Sequence, residues 1–366
     1  MSADFGRDVY CILGLPFDAL DLEASVRRVT EAATGRHKCF VSTPNLNFLV
    51  ACQTDAAFRD SVIRSDLSIA DGMPIVWLAR LLGIPIRARV AGSTLFESLR
   101  SRRSPQLRVY FFGGPDGVAQ AASRRLNEER GGLSCVGSHS PGFGSIEEMS
   151  SREMIDQINA SAADFLVVAL GARKGQEWIE HNIDRLEIPV VSHLGAVLNF
   201  VAGTVRRAPP TVQHLGLEWL WRIVQEPALK SRYLADGIAL LRLIATRALP
   251  GALLLRLSRP ARATFDVASV ELEAHGSAHT LKLAGAWGNE NLDRLRPHFE
   301  RLVDCPGDVL IDLSELSFAD LAVVGKILLL YGSLARTNRR LACSPASSAA
   351  QRLLRYSGAG FLLAKT

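Results

Sequence analysis

Ser42-Thr43-Pro44-Asn45-Leu46-Asn47, then Ser68-Ile69-Ala70-Asp71-Gly72-Met73-Pro74, then Arg89-Val90-Ala91-Gly92-Ser93-Thr94: these three pieces of residues 42–96 decide how the chain folds. They predict strand, polar turn, helix, strand, acidic turn, helix. Residues 67–70 form a short, mostly apolar run, the pattern of a buried strand. Gly72 and Pro74 then force a turn before an apolar run at 75–82 with helical spacing. Two strand ends bearing short polar side chains open toward helix starts. In an α/β sheet that arrangement makes a crevice outside the carboxyl ends of the strands. A carboxylate at Asp71 there faces a bound molecule rather than a solvated flank.

Working outward, residues 9–15 predict a first strand, 21–33 a helix and 37–42 a second strand. Thr43 and Asn45 lie in the turn after it, where they can cap the next helix or reach a ligand. Arg87 and Arg89 precede Gly92. Ser93 is placed to cap a helix over 94–100, and the glycine lets main-chain amides approach an anion. A strand at 108–112 runs into Gly113-Gly114-Pro115-Asp116-Gly117 and a helix at 118–129. This glycine-rich turn lacks the full GxGxxG spacing and can serve packing alone. Strands follow at 164–170 and 188–193. Between them Gln176 and Glu177 open a helix, where an acid is also expected from the helix dipole. The alternation predicts an α/β domain: a Rossmann-like, mostly parallel sheet with helices on both faces.

At 366 residues two domains are expected. The net charge of +5 points to an anionic partner such as a nucleotide or phospholipid head groups, and no nucleic-acid motif is present. The six cysteines are scattered without CxxC pairs, which fits a reducing compartment. The N-terminus lacks the basic start and apolar core of a secretion signal. The nearest spanning candidate, 237–257, is interrupted by Arg242, Arg247 and Arg256. The expectation is a cytoplasmic protein. From residue 211 the chain becomes basic and aromatic: Leu215, Trp219, Arg222 and Ile223 share helical spacing, and Lys230, Arg232 and Tyr233 follow. Such a segment can lie at a lipid surface with its cations among the head groups. Pro250-Gly251 and Ser258-Arg259-Pro260 read as a linker. A second α/β pattern follows, with strands at 265–273, 279–283, 308–313 and 340–343 and helices at 290–303, 321–335 and 346–356.

Residues 9–235 resemble the WecG/TagA/CpsF glycosyltransferases (glycosyltransferase family 26). The resemblance rests on Thr43-Pro44-Asn45, Ala70-Asp71-Gly72-Met73-Pro74, Arg89-Val90-Ala91-Gly92-Ser93, Phe111-Phe112-Gly113-Gly114 and Gln176-Glu177. It rests further on residues 200–209 (FVAGTVRRAP) and 215–227 (LGLEWLWRIVQEP). It implies a hexose or N-acetylhexosamine transfer, with inversion, from a UDP-sugar to a polyprenyl-diphosphate-linked sugar in surface polysaccharide biosynthesis. It further implies a peripheral place on the inner face of the cell membrane. Asp71 stands where the family has its proposed general base. Thr43 and Asn45, together with Arg89, Gly92, Ser93, Gly113, Gly114, Gln176, Glu177, Asn199, Arg222 and Arg232, stand where substrate contacts are expected. Arg222 and Arg232 fall in an appendage thought to close over the diphosphate. No Asp-x-Asp metal motif is present, so a metal-independent reaction without cofactor is expected, the leaving diphosphate being met by arginines and helix N-termini. The chain departs from the family where Gly-x-Pro-Lys-Gln-Glu becomes Gly171-Ala172-Arg173-Lys174-Gly175-Gln176-Glu177. It departs again where Asn199 replaces a carboxylate. N-acetylmannosamine, its uronic acid and glucose all stay open as donor sugars.

Residues 263–366 resemble a STAS domain, through residues 309–320 (VLIDLSELSFAD) and 353–359 (LLRYSGA). In signalling members a phosphorylatable serine follows the second aspartate, whereas Leu321 and Ala322 stand here. The domain organisation expected is therefore a transferase domain with its appendage (1–235), an amphipathic segment and linker (236–262) and the STAS-like domain (263–366). Roles left to the last domain are docking of a protein partner, nucleotide sensing or self-association. The alternative to an enzyme is a non-catalytic UDP-sugar-binding regulator that signals through the STAS-like domain. A nicotinamide-dependent oxidoreductase rests on Gly113–Gly117 alone.

Overall fold

Residues 9–15, expected as one strand, instead turn back on themselves. Val9–Ile12 (β1) and Leu15–Asp18 (β2) form an antiparallel hairpin in which Ile12 faces Leu15 across a two-residue turn. Leu13 and Gly14 both have positive φ, 50° and 92°, the geometry of the hairpin turns that match strand twist. Leucine rarely takes that conformation, so its sequence hides the turn. Every residue of both strands is buried, which explains the unbroken apolar run.

These are features of the computed structural model of the chain, which describes residues 4–129, 131–205, 208–209, 211–212, 216, 218–344 and 347–364. Leu215 and the arginine pair of residues 206–207, both within the motifs quoted above, lie outside the described residues.

The main sheet has six parallel strands in the order β4-β3-β8-β7-β5-β6. They are Cys39–Ser42 (β3), Leu67–Ser68 (β4), Leu107–Gly113 (β5), Leu133–His139 (β6), Phe165–Ala169 (β7) and Val190–His193 (β8). Helices Leu22–Thr34 (α1), Gly92–Ser101 (α5), Val118–Glu128 (α6) and Gly195–Ala202 (α9) cover one face, where Val26, Phe96, Ala122 and Val197 share a core. Arg152–Ala160 (α7) and Ala172–Asn182 (α8) cover the other, through Ile155, Ile158, Trp178 and Ile179. Strands buried on both faces read as continuous apolar runs, which is why residues 165–169 (FLVVA) were legible. Leu46–Ala51 (α2), Ala56–Ile63 (α3) and Met73–Leu82 (α4) leave this sheet to build a second core.

Glu218–Gln225 (α10) and the long helix Lys230–Ser258 (α11) form the appendage. Pro250 does not end α11. A π-helical stretch at Ile244–Ala248 precedes it, a local widening that relieves the clash between a proline ring and the carbonyl four residues earlier. By length and composition α11 is apolar enough to cross a membrane. Leu243, Ala248, Gly251 and Ala252 are nevertheless buried against the protein. Leu234, Ile238, Leu241, Leu249, Leu253 and Leu257 form an exposed stripe on the same helix.

The last domain has its own five-stranded sheet: Ser269–His275 (β9), Ala278–Trp287 (β10), Val309–Asp312 (β11), Leu316–Ala319 (β12) and Leu341–Ser344 (β13). The strand expected at 265–273 starts later, because Ala263–Asp266 (α12) is helical, and β12 was not foreseen. Arg296–Asp304 (α13), Leu321–Arg336 (α14) and Ser348–Tyr356 (α15) complete the domain.

This sheet is separate, but its core is not. One face of α14 lies on β1 and α3 of the transferase half. The Lys326 ammonium donates to the carbonyls of Phe5 and Arg7. Gly325 lies where a Cβ would come within 2.5 Å of the Val9 carbonyl oxygen. A helix apolar on all sides is a buried helix, and residues 321–336 (LAVVGKILLLYGSLAR) fit that pattern.

Candidate active site

Three main-chain hydrogen bonds assemble the crevice. Ile69 N–H donates to the Ser42 carbonyl at 3.0 Å, Asp71 N–H to Pro44 at 3.1 Å and Val90 N–H to Ala70 at 2.8 Å. The Thr43–Asn45 turn, the Asp71 turn and the Arg89–Gly92 segment are thereby held side by side at the carboxyl ends of β3 and β4. Gly92 closes the arrangement: a Cβ there would strike Leu194 Cδ2 at 2.4 Å and press on Thr43 at 3.3 Å.

Asp71 is partly buried and accepts from the N–H of Gly92, the first residue of α5. Burial pushes its carboxyl up to about 6; Arg89, Arg222 and the Gly92 N–H pull against that shift, and Glu218 adds to it. Desolvation disfavours the charged form and here outweighs the two arginines. The result is a carboxylate that is ionised near neutral pH yet keeps appreciable proton affinity, as a general base requires.

The appendage completes the site. Arg89 and Glu218, 129 residues apart in sequence, form an ion pair. Gly216, at φ 72°, brings its backbone against Met73, where a Cβ would stand 2.5 Å from Cγ. Asn47 of α2 donates to the buried Asp236 carboxylate of α11 at 3.2 Å. Nothing in the sequence singles out Glu218, Asn47 or Asp236 as members of the site, beyond the position of Asn47 and Glu218 inside the motifs that define the crevice.

Several of the other expected contact residues are engaged within the protein. Asn45 caps α2, its Oδ1 accepting from Phe48 N–H at 3.2 Å. Ser93 caps nothing, because α5 already starts at Gly92 without a side-chain cap, and Asp71 takes that amide instead. The positions of Gly113 and Gly114 are explained by packing: a Cβ would lie 2.6 Å from the Ala169 carbonyl oxygen and 2.4 Å from Leu198 Cδ2. Gln176 is 1% exposed and donates to Ser42 Oγ at 2.9 Å, so it braces β3 from beneath. Glu177 is exposed. Asn199 Oδ1 accepts from Thr204 Oγ1 at 3.4 Å, at the end of α9. Arg232 is exposed over the Tyr233 ring, 5.4 Å from its centroid, outside the set of charges acting on Asp71. His193 ends β8 with its ring between Gly175 and Gly195; burial pushes it down to about 4, so it is neutral at physiological pH.

No cluster of three or more His, Cys, Asp or Glu suited to a metal occurs among the described residues. A cavity of about 710 Å³ opens at the opposite ends of the strands, between α1, α3 and α14. Its arginines are tied to carboxylates, as in Arg7–Asp18, Arg64–Glu180 and Arg336–Asp66, and it is remote from Asp71.

The profile of the WecG/TagA/CpsF glycosyl transferase family matches residues 10–252. The chain belongs to that family. The WecG/TagA/CpsF domain is followed by a STAS domain, whose profile (Mlab, STAS domain) matches residues 270–364. A Bacillus spizizenii protein, named N-acetylglucosaminyldiphosphoundecaprenol N-acetyl-beta-D-mannosaminyltransferase, is 29% identical over 198 residues, 54% of this chain and 75% of the relative. A Staphylococcus aureus protein of the same name is 25% identical over 218 residues, 59% and 84% of the two chains. The solved structure of the phosphorylated form of the Bacillus cell fate determinant SpoIIAA is 19% identical, with TM-score 0.23, covering 26% of this chain and 89% of that one. This WecG/TagA/CpsF protein is a glycosyltransferase.

Proposed function

We propose that the enzyme transfers a sugar of the N-acetylmannosamine type from a UDP-sugar to polyprenyl-diphosphate-linked N-acetylglucosamine, with inversion and without a metal. The relatives' printed names support the transferred sugar and the lipid-linked acceptor. The observation that carries the mechanism is the Asp71 carboxylate, set at the strand ends beneath Arg89 and the appendage.

In this reading the acceptor hydroxyl gives its proton to Asp71 as its oxygen bonds to the anomeric carbon. The bond from that carbon to the UDP oxygen breaks on the opposite face, and UDP leaves with the electron pair. Charge then grows on the diphosphate. Arg89, Arg222 and the positive end of α5 supply fixed positive potential, which is worth most where water is excluded.

A polyprenyl tail cannot leave its membrane, so the enzyme has to reach the lipid surface. The exposed stripe of α11, with Trp219, Leu220 and Val224 of α10 also exposed, supports a peripheral attachment. Arg247 donates to Gln53 at 2.6 Å and Arg256 to the Leu81 carbonyl at 3.2 Å, so spanning the bilayer would tear α11 from its partners.

The test is to incubate the full-length protein with a panel of UDP-sugars and lipid-diphosphate-linked N-acetylglucosamine, with and without EDTA. Lipid-linked disaccharide that forms equally in both supports the proposal. Product that needs an added divalent ion contradicts it.

A further inference from the structure

Glu218 stands out among the groups around Asp71, because general-base transfer gives it no task. A carboxylate beside a departing diphosphate is unfavourable unless it serves another purpose. Its Oε2 holds Arg89. Its Oε1 is buried and has no hydrogen-bond partner among the described residues, and the same is true of Arg222 Nε, one helical turn further along α10. Arg222 Nε lies 4.0 Å from the Glu226 carboxylate.

We propose that Glu218 is a positioning residue of the transfer reaction: from the appendage it fixes the Arg89 guanidinium over the crevice and sets the charge that Asp71 faces. This deepens the general-base reading and rests on it.

Three observations converge. The ion pair joins the segment carrying Gly92 to the appendage, so it fixes how α10 sits over Asp71. Close approach of Gly216 to Met73 holds the same part of the chain on the Asp71 turn, so the pair is braced from both ends. The charged groups that act on Asp71 are Arg89 and Arg222, which favour its ionised form, and Glu218, which opposes it; the Gly92 N–H adds to the first pair. Without the Glu218 carboxylate that ion pair is lost, and two cations act on the base without its opposing charge. The more positive surroundings would hold Asp71 more firmly in its ionised form and weaken it as a base.

The purpose is thus to keep a cation close enough to meet the leaving group but occupied enough not to quench the base. Donor binding would exploit the same pair, since a diphosphate offers Arg89 a stronger bidentate partner than one carboxylate oxygen.

The experiment is the pH dependence of kcat/KM for full-length wild type, Glu218→Gln and Glu218→Asp, with UDP-N-acetylmannosamine and lipid-diphosphate-linked N-acetylglucosamine. Glu218→Gln keeps size but loses charge, whereas Glu218→Asp keeps charge and shortens the reach. The acid limb in Glu218→Gln should move to lower pH by about half a unit or more, while Glu218→Asp keeps it near the wild-type position. An acid limb unmoved in Glu218→Gln overturns the proposal. Asp71→Asn run in parallel separates the two readings. If it keeps wild-type turnover, the general-base assignment fails. Glu218 is then judged on donor KM alone, where a rise of about tenfold in Glu218→Gln supports its hold on Arg89 and an unchanged value overturns it.

Discussion

The Lys326 ammonium, in the middle of α14, donates to the Phe5 carbonyl oxygen at 2.6 Å, joining residues 321 positions apart. Together with its bond to Arg7, this contact ties the STAS helix to the segment leading into the N-terminal hairpin. The hairpin in turn packs on the helices that leave β3 and lead to Asp71. Gly14 and Gly358 repeat the theme: a Cβ on Gly14 would lie 2.7 Å from the Gly358 carbonyl oxygen. The STAS domain is therefore part of the scaffold of the transferase, and its long helix has one face already occupied by its own chain.

Lys326→Met should leave two buried carbonyls without a donor and cost about 2–4 kcal/mol. Gly325→Ala should also destabilise, by about 1–3 kcal/mol, through contact with the Val9 carbonyl. Hydrogen exchange should show protection lost together in β1 and in α14. Loss confined to residues 263–364 would mean that the two halves are uncoupled.

Asp71→Asn should raise stability at neutral pH. The carboxyl is raised from 3.8 to about 6 in the fold, so the folded protein favours its protonated form. That contribution is fully present below the unfolded value and is lost as pH rises through about 6. The variant should match wild type near pH 3.8 and exceed it above pH 6, by at most about 3 kcal/mol. Thermal melts across that range read the difference directly, and equal melting curves at every pH would refute the shift.

His193 should act in the opposite sense. Burial lowers it from 6.5 to about 4, so the fold favours the neutral ring. Its contribution is present above pH 6.5 and is lost as pH falls toward 4. His193→Gln should flatten the decline in melting temperature between these values. A decline as steep as that of wild type would show that another group causes it.

Leu241→Glu combined with Leu249→Glu should weaken binding to anionic vesicles by about tenfold or more, because each places a charge on the stripe proposed to meet lipid. Co-sedimentation of full-length protein with such vesicles measures this, and unchanged sedimentation would remove α11 from the membrane contact.

The sheet was legible because strands buried on both faces write uninterrupted apolar runs, as at residues 165–169. The crevice was legible because Thr43 and Asp71 stand at strand-to-helix turns, whose position follows from the strands themselves, and Gly92 opens the next helix. Glu218 was not, since its partner Arg89 is 129 residues away and an acid on an amphipathic helix ordinarily faces water. The surroundings of Gln176 were not legible either: its Nε2 donates to Ser42 Oγ across 134 residues, while its buried Oε1 has no hydrogen-bond partner among the described residues. The hairpin at Leu13-Gly14 was hidden by a leucine in a conformation that leucine seldom adopts. The joint core was written in the all-round apolar residues 321–336, whose second face needed a partner that the STAS sheet alone could not supply.

In the proposed mechanism Asp71 takes a proton from the acceptor while arginines receive the departing diphosphate. Its most direct test is turnover and donor binding measured on the same preparation of Asp71→Asn. Turnover should fall about a hundredfold or more, with affinity for the UDP-sugar nearly unchanged. Turnover near that of wild type would contradict it.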